Sequence, residues 1–230
     1  MTEVQIDYCE FPDDLLYDLE NNVWVKLGSD TRVKLGITSV HAALAGRLNK
    51  VTFKPLGTNL EKAKGVATIE SARFFGVVRT PLTGTLAGVN SRLESEPKLA
   101  NDSPYVLGWF AEILWNSDTK ALQSLVEPKQ AAELIRDQIR KLHVRCFSAY
   151  PDREMWEIGV ECAAVLVRLN ELLEHCNVGE VIHVVSDDPT ADIEMERWMD
   201  ETGQSVLESR KEGNLMHFIV KKVRYVMVSR

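Results

Sequence analysis

The chain is poor in the patterns that carry most metal and nucleotide chemistry. Its four cysteines, Cys9, Cys146, Cys162 and Cys176, include no C-x-x-C pair, so the common zinc arrangements are not expected. The five histidines, His41, His143, His175, His183 and His217, show no metal-ligand spacing. There is no glycine-rich phosphate loop and no G-x-S-x-G. Positive charge is in deficit, with 27 Lys and Arg against 34 Asp and Glu, a net charge of −7. A general nucleic-acid binder needs a basic face, and so does a protein that adheres to anionic membranes. No stretch approaches 18 uninterrupted apolar residues, so no membrane-spanning helix is expected. The opening MTEVQIDYCEFPDD lacks the basic-then-apolar order of a signal peptide. The expected address is the cytoplasm, where all four cysteines are expected as free thiols.

What is present is ordinary globular material, 45% hydrophobic and 27% charged over 230 residues. That is enough for a core in each of two modest domains. Residues 20 to 115 read as short strands between turns. Val23 and Val25 alternate with polar residues, Gly28-Ser29-Asp30 turns the chain, and Val33, Leu35 and Ile37 resume the alternation. Pro55-Leu56-Gly57 and Pro81-Leu82-Thr83-Gly84 break later strands. HAALAGRL reads as a short helical link, SEPKLANDSPYVLG as a loop and WFAEILW as a last strand. The character changes near residue 117. Apolar residues at 131, 134, 135, 139, 142 and 146 predict a connecting helix over 127–147. Tyr150-Pro151-Asp152 is the linker candidate, since proline disfavours a helical residue before it.

The last 80 residues alternate differently. EMWEIGV predicts a strand, and CAAVLVRLNELLEHC a helix with Val165, Leu166, Leu169, Leu172 and Leu173 on one side. EVIHVVS predicts a second strand, and TADIEMERWMDET a second helix with Ile193 and Trp198 facing inward. Asp188 or Thr190 would cap it, and Gly203 would end it. Two strands around KEGN close the order β-α-β-α-β-β. The fold class expected is α+β in two domains. Residues 1–147 form a β barrel-sandwich hybrid with a C-terminal helix, and residues 152–230 form a two-layer sandwich.

Several motifs in order connect the first part to a known family. WVKLGSDTRVKLGIT, KPLGTNLEKAKGVATIES, RTPLTGTLAGVN and EPKLANDSPYVLGWFAEI run from about Leu16 to Glu133. Together they resemble the H protein of the glycine cleavage system, a lipoyl-domain fold. Asn101, Pro104, Tyr105, Gly108 and Trp109 match the family's N-x-x-P-Y-x-x-G-W stretch. In that family a hairpin tip reading E-S-V-K bears the lipoyl lysine. Here the tip reads Glu70-Ser71-Ala72-Arg73. Acylation needs a neutral amine, and a guanidinium stays protonated. Lipoate is therefore expected to be absent, with Arg73 at the lysine's position. Lys62 and Lys64 are near but not at the tip. Arg73 is either a solvated charge or, with Phe74 and Phe75 beside it, part of a partner contact. One of the two rings is expected to face the core.

From about Glu154 to Val223 the chain resembles the TusA-like sulfur carriers. Their G-L-x-C-P-x-P motif carries a persulfide on the cysteine. Here it reads Gly159-Val160-Glu161-Cys162-Ala163-Ala164-Val165, keeping the cysteine and losing both prolines. VGEVIHVVSDDPTADIEMERWMDETGQSVLES matches the family's following strand, D-D-P turn and helix. Cys162 is thus the candidate persulfide carrier. A thiol at a helix start is favoured as thiolate by the dipole and unpaired amides. Glu157 and Glu161 oppose this, and the competing reading is a small buried apolar residue. Cys176 reads as structural, Cys9 as part of a tail and Cys146 as part of the connecting helix. Asp187-Asp188 read as helix capping, and His183 and His217 as satisfied strand histidines.

The function expected from both resemblances is a carrier more than a stand-alone enzyme. It would be a sulfur relay, possible as a sulfurtransferase, with the H-like domain used for docking. The alternative is a non-catalytic adaptor with both carrier positions degenerate, and a third is an H-type carrier, which Arg73 opposes. The partners expected are proteins of sulfur transfer or lipoate-linked metabolism. No metal, nucleic acid or membrane partner is expected.

Overall fold

The computed structural model describes residues 3–28 and 31–225. It divides into two compact units, Met1–Cys146 and Phe147–Arg230. The turn expected at Gly28-Ser29-Asp30 lies partly outside the described residues.

The first unit begins with a hairpin of β1 (Glu3–Ile6) and β2 (Cys9–Pro12). This is no tail: Ile6, Cys9 and Phe11 are buried. Then follow β3 (Leu16–Asp18), β4 (Val23–Leu27) and β5 (Arg32–Ile37), the last two forming the expected hairpin. Helix α1 (Ser39–Ala45) is capped by Thr38, whose hydroxyl accepts from His41 N. Strands β6 (Leu48–Phe53), β7 (Asn59–Leu60), β8 (Gly65–Ser71), β9 (Phe75–Arg79) and β10 (Gly84–Val89) alternate with the proline and glycine turns. The predicted loop after β10 contains two single-turn helices, α2 (Arg92–Ser95) and α3 (Leu99–Asp102). Strand β11 (Trp109–Trp115) closes the sheet, and α4 (Thr119–Leu122) and α5 (Ala132–Leu142) follow.

These strands make a six-stranded sheet in the order β3-β4-β5-β11-β10-β7 and a three-stranded sheet β6-β8-β9. Alternation puts Val23, Val25, Val33, Leu35, Ile69, Val78, Leu86 and Ile113 into one core. A second apolar cluster holds Phe11, Tyr17, Trp24, Ile135 and Ile139. Helix α5 is shorter than the predicted 127–147. It stops where His143 takes a left-handed conformation, φ 52°. Cys146 therefore lies beyond the helix. It is joined to Cys9 by a disulfide across 137 residues of sequence. That corrects the expectation of four free thiols: both partners are buried in the second cluster, where the hairpin strand and the segment after α5 meet.

The second unit has β12 (Arg153–Glu157), α6 (Cys162–Glu174), β13 (Val181–Ser186), α7 (Ala191–Thr202), β14 (Ser205–Glu212) and β15 (Leu215–Lys221). The sheet order is β12-β13-β15-β14, parallel between β12 and β13 and antiparallel elsewhere. Leu169, Leu173, Ile182, Val184, Trp198, Phe218 and Val220 form the core between helices and sheet. Trp198 points inward as expected, but Ile193 is exposed, because Ala191 and Met195 supply the buried face of α7. The whole is α+β in two domains, without a closed barrel among the described residues.

Candidate functional site

The tip of the β8–β9 hairpin is built tightly. Ser71 N donates to Phe74 O at 2.8 Å, leaving Ala72 and Arg73 as its turning residues. Ser71 Oγ donates to Ala45 O at 2.6 Å and accepts from Arg73 N at 3.2 Å. The tip is thereby pinned to the C-terminal end of α1. Gly46 sits between them with φ 81°, and a Cβ there would meet Arg73 Nε at 2.9 Å. Glycine is required both for the left-handed backbone and for the side chain lying across it. An arginine beside the carbonyl end of a helix is favourably placed. Phe74 turns inward, its ring edge-on to buried His41 at 6.0 Å between centroids. Phe75 turns outward and is 69% exposed. So one ring faces the core, as expected, and the other stands beside Arg73.

The floor beneath the tip is set by the N-x-x-P-Y stretch. Asn101 is buried. Its Oδ1 accepts from Leu48 N at 2.9 Å, and its Nδ2 donates to Gly46 O at 2.9 Å. Tyr105 Oη donates to Glu10 O at 2.6 Å, and Trp24 Nε1 donates to Pro104 O at 3.0 Å. These residues brace backbone. Lys62 is turned away and donates to Ser124 Oγ at 2.8 Å. The tip does not fit a lipoyl group, because its exposed terminal side chain is a guanidinium with no amine to acylate.

In the second unit, Cys162 is the first residue of α6, as the sequence predicts. Its surroundings are not those expected of a thiolate. The residue is 3% exposed and belongs to the core with Val165, Ala191 and Trp198. Burial, and then the carboxylates of Asp188 and Glu194, push the thiol up to about 11. The sequence pointed to Glu157 and Glu161 as the opposing acids. Glu157 is instead paired with Arg168, and Glu161 is an exposed residue that makes no side-chain cap.

The cap comes from elsewhere. Cys162 N donates to Asp188 Oδ2 at 2.8 Å, and Gly159 N donates to Asp187 Oδ1 at 2.7 Å. Asp188 Oδ1 also accepts from Thr190 N at 2.7 Å and Thr190 Oγ1 at 2.6 Å. Hydrogen bonds from Thr190 and from the Cys162 amide hold the Asp188 carboxyl below the usual range. Asp188 thus caps α6 and holds Thr190, the N-cap residue of α7, which makes no side-chain cap of its own. Sequence reasoning had no signal for the α6 cap, since α6 begins 26 residues before Asp188. The parallel pairing of β12 and β13, with Glu157 beside Ser186, puts the C-terminal ends of both strands at the same end of the sheet and brings the two turns together.

Cys176 is buried past the end of α6, where its Sγ donates to Leu172 O at 3.2 Å. His183 and His217 stack on neighbouring strands, with Nε2 and Nδ1 2.9 Å apart. Phe147 packs against them, its ring 4.5 Å from that of His183. No group of three or more metal-ligating side chains occurs among the described residues. Nor is any described helix long and apolar enough to cross a membrane.

Comparison with known proteins agrees with this division. The glycine cleavage H-protein family model matches residues 15–138, and the sulfurtransferase TusA model matches residues 158–222. Among curated relatives, glycine cleavage system H protein 2 of Aquifex aeolicus is 35% identical over 138 residues, 60% of this chain and 86% of that protein. Glycine cleavage system H protein 5 of the same organism is 38% identical over 146 residues, 62% of this chain and 98% of that protein. A probable glycine cleavage system H protein 2 of Saccharolobus solfataricus is 35% identical over 140 residues, 60% of this chain and 94% of that protein. A solved H protein from Mycobacterium marinum is similar with a TM-score of 0.43 and 22% identity, covering 49% of this chain and 97% of that one. The chain belongs to the glycine cleavage H-protein family, and it joins that domain to a TusA-like second one.

Proposed function

We propose that this chain is a docking component of a carrier system. Its H-like domain would bind protein partners without a lipoyl arm, and its TusA-like domain would rest with its cysteine closed. The observation that carries this reading is the state of Cys162, 3% exposed, with burial pushing its thiol up to about 11. A neutral, enclosed thiol is a poor nucleophile. Arg73 supports the same reading, since it leaves the hairpin tip as a contact surface with Phe75 beside it. The partners proposed are proteins of sulfur transfer or lipoate-linked metabolism, and the compartment proposed is the cytoplasm, with the one disulfide shielded in the core. The experiment is intact mass of the full chain produced together with a lipoate ligase. The unmodified mass is expected for wild type. A lipoyl adduct on any residue would restore an H-type carrier in place of the docking role.

A second reading, a sulfur relay through Cys162, is favoured by one observation. The sulfur lies at the first residue of α6, next to a four-residue loop in which Ile158, Gly159 and Glu161 are exposed. Opening that loop would bring the thiol to solvent. The Cys162 thiolate would attack the outer sulfur of a donor persulfide, R–S–SH. The donor S–S bond breaks, the new bond makes Cys162–S–SH, and R–S⁻ leaves, taking up the proton that Cys162 released on ionising. Incubation with a persulfide donor should add one sulfur to the intact mass in wild type and none in Cys162→Ser. An unchanged wild-type mass leaves docking alone.

A further inference from the structure

We propose that Asp188 is the positioning residue of Cys162, a latch that caps α6 from the neighbouring turn and keeps the sulfur folded into the core. The proposal deepens the relay reading, because it says what holds the carrier position shut.

A helix start presents amides without intrahelical partners, and these are what would stabilise an anionic sulfur at the first residue. In this protein the first of them, Cys162 N, is already engaged by a competing anion. Asp188 Oδ2 takes the amide of Cys162 itself, and Asp187 Oδ1 takes Gly159 N, so the acid pair holds both ends of the loop at 158–161. Asp188 is itself fixed. Its Oδ1 accepts two bonds from Thr190, and its own N donates to Ser186 Oγ at 3.2 Å. One carboxylate therefore ties the start of α6 to the start of α7, and the side chain of Cys162 is left facing Ala191 and the core. The loop at 158–161 contains no proline, and the two carboxylates hold it in place.

Of the other acids near the start of α6, Glu161 is exposed and two are paired. Glu157 on β12 pairs with Arg168 on α6, and Glu194 on α7 pairs with Arg197 at 3.3 Å. Asp187 and Asp188 are held by amides and a hydroxyl. Asp188 is consequently the charge whose removal acts most directly on the sulfur.

The test is the rate of Cys162 alkylation by iodoacetamide between pH 7 and 10.5, in the full chain with Cys176→Ser as background. Asp188→Asn keeps an acceptor oxygen and removes the charge. It should speed alkylation at fixed pH by about threefold to tenfold and move the profile to lower pH, since one pK unit is about tenfold in thiolate. Asp187→Asn should act less. A profile for Asp188→Asn that superimposes on the background protein overturns the latch. Should that variant misfold by circular dichroism, amide hydrogen exchange in the unmutated chain decides. Slow exchange at Gly159 and Cys162 relative to Val160 and Glu161 is expected, and equal exchange across all four overturns it. The two readings fail separately. Absent persulfide loading with the alkylation shift intact removes the relay and keeps the latch, whereas an unmoved alkylation profile removes the latch whatever the loading.

Discussion

Asn101 is the side chain on which the shape of the hairpin tip depends most. It makes hydrogen bonds to Leu48 N and Gly46 O from a buried position, and so fixes the turn over which Arg73 lies. Asn101→Ala leaves a buried donor and acceptor without partners, at a cost of about 2–4 kcal/mol for the pair. Denaturant unfolding of the first unit should show that loss, and a change under about 0.5 kcal/mol would mean that water replaces the amide. The residue was legible in the sequence as part of the N-x-x-P-Y stretch. Its role was not, because its bonding partner Leu48 is 53 residues away. Arg73 is the opposite case. The proposal that it bars acylation rests on the resemblance and on the chemistry of a guanidinium, and needs no coordinates.

Helix α6 is held at both ends by side chains from other elements. At its start stands Asp188, and at its end Lys222, which is 1% exposed. Lys222 Nζ donates to Leu173 O at 2.6 Å and Cys176 O at 2.8 Å. Leu173 O also accepts from Cys176 N at 3.1 Å, and the ammonium suits the negative end of the helix. Lys222→Met keeps most of the apolar stem and loses both bonds. We expect the second unit to lose about 2–3 kcal/mol in chemical denaturation, with the helix end exchanging its amides faster. No measurable change would assign the capping to solvent. The helix itself was readable from its apolar spacing, as were β12, β13, α7 and the closing hairpin. What failed were features set by tertiary contact. The 127–147 helix was shortened to Ala132–Leu142, its C-terminal end set by left-handed His143, and a loop acquired two single turns. Ile193 lay at a plausible inward position, but the packing of α7 selected Ala191 and Met195.

At the scale of the chain, the Cys9–Cys146 disulfide joins the first strand pair to the end of the first unit. Nothing in the spacing of four cysteines could reveal it, because pairing across 137 residues depends on a fold that brings the ends together. Cross-links of that span limit the unfolded chain, and the first unit should lose about 2–4 kcal/mol when Cys9 and Cys146 are both changed to alanine. The second unit's unfolding should be unaffected, which a probe on Trp198 would report separately. Equal stability of the oxidised and alanine forms would show that the bond only follows the packing.

The same bond has a topological meaning. Residues 9 to 146 form a covalent ring, and the TusA-like unit is a pendant on it. A single protease nick anywhere in the ring would open a loop without releasing a fragment, so the clipped molecule would still travel as one piece until a reductant parted it.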